Sequence, residues 1–131
     1  MDRRIVNPWT WQDEFGFVQA NVVAGATRTV YCAGQGSVDE NGAPVHAGDM
    51  TAQVMQCLDN LEAVLSQSDM SLADVVRLNW FVTDIPAFYE AAPVYGPRLG
   101  MAGCRPASTL LGVSALAYPE MMVEIEATAV A

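Results

Sequence analysis

MMVEIEATAV, residues 121–130, decides how this chain folds. Read as a strand, it sends alternate residues to opposite faces of a sheet. Met121, Val123, Ile125, Ala127 and Ala129 make one continuous apolar face. Met122, Glu124, Glu126 and Thr128 take the other. A helix-covered core accepts the first set. The second set puts two carboxylates on the opposite face, where each must be paired, hydrogen-bonded or set in a wet cleft. Two readings stay open. Both glutamates bond arginines or backbone amides across an interface, or one of them lines an intersubunit cleft and handles a proton or a water.

Working outward, ASTLLGVSALA (107–117) reads as the strand before it, and VVRLNWFVTDI (75–85) as an earlier one. AFYEAAPVYGPRLG (87–100) reads as a helix interrupted near Pro93 and ended by Gly96-Pro97. Asp49 is a good N-cap, and Met50, Val54, Cys57, Leu58, Leu61, Val64 and Leu65 behind it recur at helical spacing over about 50–67. FGFVQANVV (15–23) and TVYCAGQG (29–36) read as a hairpin about the GATR turn, and residues 1–14 as an irregular N-terminal segment. The order is β-β-α-β-α-β-β, an α+β pattern in one domain spanning 1–131. Two helices blanket only one face of such a sheet. The second face is also partly apolar, so a homo-oligomer with sheets packed on sheets is expected.

The chain carries 15 acids against six arginines and no lysine, a net charge of −9. Nucleic acid and an anionic membrane are therefore poor partners. Schiff-base lysine chemistry is excluded. No apolar run reaches membrane-spanning length, and MDRRIVNPWT (1–10) leads into no apolar stretch like that of an export signal. A cytoplasmic protein is expected, with Cys32, Cys57 and Cys104 as free, mostly buried thiols. His46, the single histidine, lacks partners at metal-ligand spacing, and no Walker, GxSxG or dinucleotide motif is present.

Several stretches together resemble the RidA/YjgF family of enamine/imine deaminases, over about residues 15–130. FGFVQA (15–20) is similar to the family's GPYVQ, and YCAGQGSVDENG (31–42) to its SGQ strand and loop. DMTAQVMQCLDNLEAVL (49–65), DVVRLNWFVTDIPAF (74–88) and VEIEATAV (123–130) match it more closely. The resemblance implies a chorismate-mutase-like α+β fold and a homotrimer with a central barrel and three intersubunit clefts. It also implies hydrolysis there of imines and enamines such as 2-aminoacrylate to ketoacids and ammonia, with no metal or cofactor. In the family an arginine holds the substrate carboxylate, backbone groups near the SGQ glycine assist, and a water sits beside the first glutamate of EIE.

Carried onto this chain, Glu124 keeps that glutamate and Gly34 the glycine. Ala33 stands for the serine, Phe17 for a tyrosine, and Ala92 for an asparagine of many members. In RPASTLLGV (105–113), Ser108 stands where the carboxylate-binding arginine belongs, and Arg105 comes three residues early. On an extended chain that is about 10 Å and an odd step, which argues against direct replacement, while Pro106 leaves open an Arg105 that loops in, so Arg105 stays among the candidate substrate-binding residues with Phe17, Ala33, Gly34, Ser108 and Leu110. The expected substrate is thus not 2-aminoacrylate but a neutral or larger, more apolar imine in a cleft lined by Phe17, Ala33 and Leu110. The alternative is a non-catalytic trimer that binds a small metabolite.

Overall fold

The computed structural model describes residues 1–131. Its elements run β1 (Asp2–Val6), β2 (Ala20–Ala24), β3 (Thr29–Tyr31), β4 (Gln35–Gly36), α1 (Met50–Ser66), β5 (Val75–Val82), α2 (Ile85–Met101), β6 (Ala107–Gly112) and β7 (Val123–Val130). The architecture is the expected α+β, two helices on one face of a mixed sheet. Strand order in that sheet is β3-β7-β5-β6, with β4 also paired to β7. β7 runs antiparallel to β3, β4 and β5, whereas β5 and β6 are parallel, as a strand–helix–strand crossover through α2 requires.

The alternation of β7 is realised. Val123, Ile125 and Ala129 are fully buried on the helix side, while Met122, Glu124 and Thr128 are half-buried and Glu126 is exposed. Across the strands, Leu78, Trp80 and Val82 share the buried face with Ala127, Ile125 and Val123. Arg77, Asn79 and Phe81 pair with Thr128, Glu126 and Glu124 on the uncovered one. On α1, Val54, Cys57, Leu58, Leu61 and Leu65 are buried, and the Asp49 carboxylate accepts from the Ala52 amide at 3.0 Å. Arg98 of α2 locks the helices together through Asp59 (2.6 Å) and Glu62 (3.2 Å) on α1. No helix is long and apolar enough to cross a membrane.

Four expectations need correction. The N-terminal segment is not irregular. β1 pairs antiparallel with β2, a 3-10 turn covers Trp11–Phe15, and the Arg3 guanidinium donates to the carbonyls of Ala73 (2.8 Å), Val75 (3.1 Å) and Arg105 (2.7 Å). The 15–36 hairpin does not form. β2 takes β1 as partner and β3 takes β7, because the 3-10 turn and Gly16, at φ 77°, keep residues 15–19 out of a regular strand.

The second helix runs unbroken through Pro93 and Pro97 to Met101. Each proline forfeits a backbone bond, and the packing of Phe88, Ala91, Tyr95 and Leu99 against the core offsets the loss. β6 stops at Gly112, so residues 113–117 lie outside it, not in a strand reaching 117.

Candidate functional site

The sequence-predicted site residues fall in two regions, one on each side of the sheet. The first is a cavity of about 960 Å³ between α2, the edge strand β6 and the 3-10 turn. Its lining includes Phe17, Ala92, Arg105, Ser108 and Leu110 together with Trp11, Phe15, Trp80, Phe88, Tyr89 and Tyr95. Trp80, Phe88 and Tyr95 pack as a triad with ring centroids 5.0–5.4 Å apart, and Trp11 meets Phe17 edge-on at 5.8 Å. Such spacings are those of favourable aromatic pairs. β5 and α2 supply the triad because positions 78 and 80 of the strand face the helix.

Polar groups in this cavity are few. The Ser108 hydroxyl already donates to the Leu78 carbonyl at 2.6 Å, so its single proton is used. Burial pushes the Tyr95 phenol up to about 12, with Tyr89 adding to the shift, so it stays a neutral donor. Burial likewise pushes the Cys104 thiol up to about 12 against the opposing pull of Arg3, which removes it as a thiolate nucleophile near neutral pH.

Arg105 lines the same cavity as Ser108, the looped alternative to strict strand alternation. The reason is that β6 begins only at Ala107, so Arg105 belongs to the turn before it. Its carbonyl accepts from Arg3 and from Asn21 (3.1 Å), which pins the backbone, while its guanidinium makes no hydrogen bond or ion pair within the chain.

The second region lies on the uncovered face. Gly36 pairs with Glu124, and a Cβ on Gly34 would collide with the Glu124 carboxylate. Gly34 therefore makes the room in which that carboxylate lies, with Ala33 exposed beside it. Glu124 and Glu126 differ in one respect. Glu126 accepts from the Asn79 amide at 3.1 Å, whereas Glu124 accepts no hydrogen bond in the chain. Ala33, Gly34 and Glu124 do not line the cavity that holds Phe17, Arg105, Ser108 and Leu110. His46 is exposed in its loop at φ 64°, and no three His, Cys, Asp or Glu side chains gather as a metal site would need.

Sequence reasoning missed the aromatic wall from Trp11, Trp80, Phe88 and Tyr95. Its one signal was density, since seven of the chain's 11 aromatic residues line this cavity.

Comparison with known proteins bears on this geometry. Residues 13–131 match the family described as Endoribonuclease L-PSP. The chain belongs to that family, which is the RidA/YjgF family. It is similar to Protein DfrA of Myxococcus xanthus, 35% identical over 105 residues that cover 80% of this chain and 78% of that one. Among solved structures, the Rid-family protein YyfB of Yersinia pestis superposes with a TM-score of 0.86 at 37% identity, over 100% of both chains. The YjgF gene product of E. coli superposes with a TM-score of 0.71 at 29% identity, over 86% of each chain. RidA/YjgF members are in general imine deaminases or small-molecule binders, and the two regions are to be read in that light.

Proposed function

We propose that this protein is a cytoplasmic homotrimer that hydrolyses a reactive imine or enamine in clefts between its subunits, without metal or cofactor. The substrate is one other than 2-aminoacrylate. Glu124 carries the reading: a half-buried carboxylate with no partner in its own chain, given its space by a glycine. The two regions lie on opposite faces of one sheet, so one chain cannot bring them to one molecule. A neighbouring protomer set against the uncovered face unites Glu124 of one chain with the cavity of another. Tyr31, 81% exposed, and the buried Asn79 Oδ1, which lacks a donor, both suit a face that a second chain covers.

In the reaction, a water oxygen adds to the imine carbon and the C=N π electrons move to nitrogen. Glu124 accepts a proton from that water. The resulting carbinolamine takes that proton on nitrogen from Glu124; as its C–N bond breaks and ammonia leaves, the hydroxyl gives its own proton to the freed Glu124 carboxylate, and a carbonyl compound remains. An enamine first gains a proton on carbon to become the imine. The family description contains the word endoribonuclease, but 15 acids against six arginines oppose binding of a polyanion.

The test uses imines generated in situ by an amino-acid oxidase. Glu124→Gln is expected to lower turnover about a hundredfold or more while the oligomer stays intact by native mass spectrometry. Undiminished turnover would make Glu124 a structural residue. A second reading, a trimer that binds without turnover, has its own support. Phe17, Ala33 and Ala92 bring no polar group, and the Ser108 hydroxyl is already engaged. Saturable ketoacid binding with no imine hydrolysis by the wild type would favour it.

A further inference from the structure

We infer that the molecule taken into the α2 cavity is an aromatic carboxylate, a flat ring held by the Trp80–Phe88–Tyr95 wall with its acid group on Arg105. For the reaction this means an α-imino acid with an aromatic side chain. The inference rests on the site proposed above.

Two independent features point the same way. The first is the wall itself. A ring entering beside Trp80, Phe88 and Tyr95 extends a set of aromatic contacts already 5.0–5.4 Å apart, and 960 Å³ exceeds what a three-carbon acid fills. The second is the charge. Arg3, Arg28, Arg77 and Arg98 all spend their guanidinium groups on carbonyls, a hydroxyl or carboxylates within the chain. Arg4 and Arg105 do not, and of these two only Arg105 lines the cavity, its backbone held by two side-chain donors from the N-terminal sheet.

A fixed backbone carrying an unspent, always-charged fork is suited to clamp a carboxylate with two bonds. Arg3 strengthens that end. Its guanidinium holds the Arg105 carbonyl at 2.7 Å, so it fixes the backbone from which the Arg105 side chain extends. Asp13 and Glu14 also line the cavity, on the exposed 3-10 turn. They repel an anion from their rim and so direct its acid group to the Arg105 end. Ser108 cannot share the clamp as a donor, because its proton is bound to the Leu78 carbonyl.

Calorimetric titration of the purified oligomer tests this with stable product-like probes: phenylpyruvate, pyruvate, and uncharged phenylacetone. Phenylpyruvate is expected to bind at least tenfold more tightly than pyruvate. Arg105→Gln keeps the carbonyl that Arg3 and Asn21 hold, so the fold is preserved. It should weaken phenylpyruvate about tenfold and leave phenylacetone unchanged. Trp11→Ala, on the exposed turn, should shrink the preference for phenylpyruvate over pyruvate. Equal binding of pyruvate, indifference to Arg105→Gln, or no saturable binding of phenylpyruvate at millimolar concentration would each overturn the inference. Its fate is separable from that of the reaction. Phenylpyruvate binding through Arg105 without any imine turnover sinks the hydrolase and keeps this ligand class. Glu124-dependent turnover confined to small imines does the reverse.

Discussion

The two faces of the central sheet are built from the same strands and yet solve opposite problems. The helix-side face meets α1 and α2 with Leu78, Trp80, Val82, Val123 and Ile125, nearly all without exposure. The uncovered face shows Arg77, Asn79, Phe81, Glu124 and Glu126 in the alternate positions. The first is finished within one chain. The second holds a half-buried glutamate that accepts no hydrogen bond within the chain and an amide oxygen without a donor. The difference teaches that strand parity separates a packed face from an open one in this molecule, even between residues one position apart.

Substitutions on the two faces should therefore separate. The largest effect is expected for Leu78→Ala, about 2–5 kcal/mol lost in urea unfolding, because the helices close over position 78 and leave a cavity. Tyr31→Asp should leave the chain folded, since the ring is 81% exposed, but should dissociate the proposed trimer in native mass spectrometry. A Tyr31→Asp protein that unfolds, or stays fully assembled, would break the contrast between the faces.

An intermediate effect is expected for Gly34→Ala. Its methyl group displaces the Glu124 carboxylate, and a misplacement of that size should cost up to about a hundredfold in kcat. The unfolding midpoint should barely move. Unchanged turnover would show that the position of Glu124 is not the one that matters.

A pH dependence is expected as well, from thiols buried on the covered side. Burial raises the Cys57 and Cys104 thiols from 9.0 to about 12, the carboxylate of Glu124 adding to the shift at Cys57. The folded state therefore holds protons that the unfolded state gives up. The stability this confers is present in full below pH 9 and is lost as pH rises through the window from 9 to 12. The urea midpoint should fall from pH 8 to pH 11, and Cys104→Ala should flatten that fall. A midpoint that rises with pH would contradict the burial argument.

Periodicity carried most of the fold. β7 and α1 were legible because their apolar residues recur at 2.0 and 3.6, and the packing they need is the packing they have. β1 was not legible, since DRRIV looks solvated until Arg3 finds three carbonyls some 70 to 102 residues away. The supposed hairpin failed for the same reason: a local turn suggested a neighbour, but β7 competes for β3 from the far end of the chain. α2 outlasted its prolines because tertiary contacts outweighed a local rule. At the site, Phe17, Arg105, Ser108 and Leu110 could be named one by one, but the aromatic wall reads in sequence as ordinary core. Alternation could place Glu124 on the far face. It could not show that Arg105 precedes its strand and so escapes that rule.

The bonds of Arg3 have a consequence for how the protein is made. One of its acceptors, the Arg105 carbonyl, is synthesised 102 residues after it. At about 5–20 residues per second, that delay is roughly 5–20 seconds. β3 and β4 wait almost as long, for β7 partners 88 to 101 residues further on. α1 and the β1–β2 ribbon can form before β7, the strand that carries Glu124, has been made.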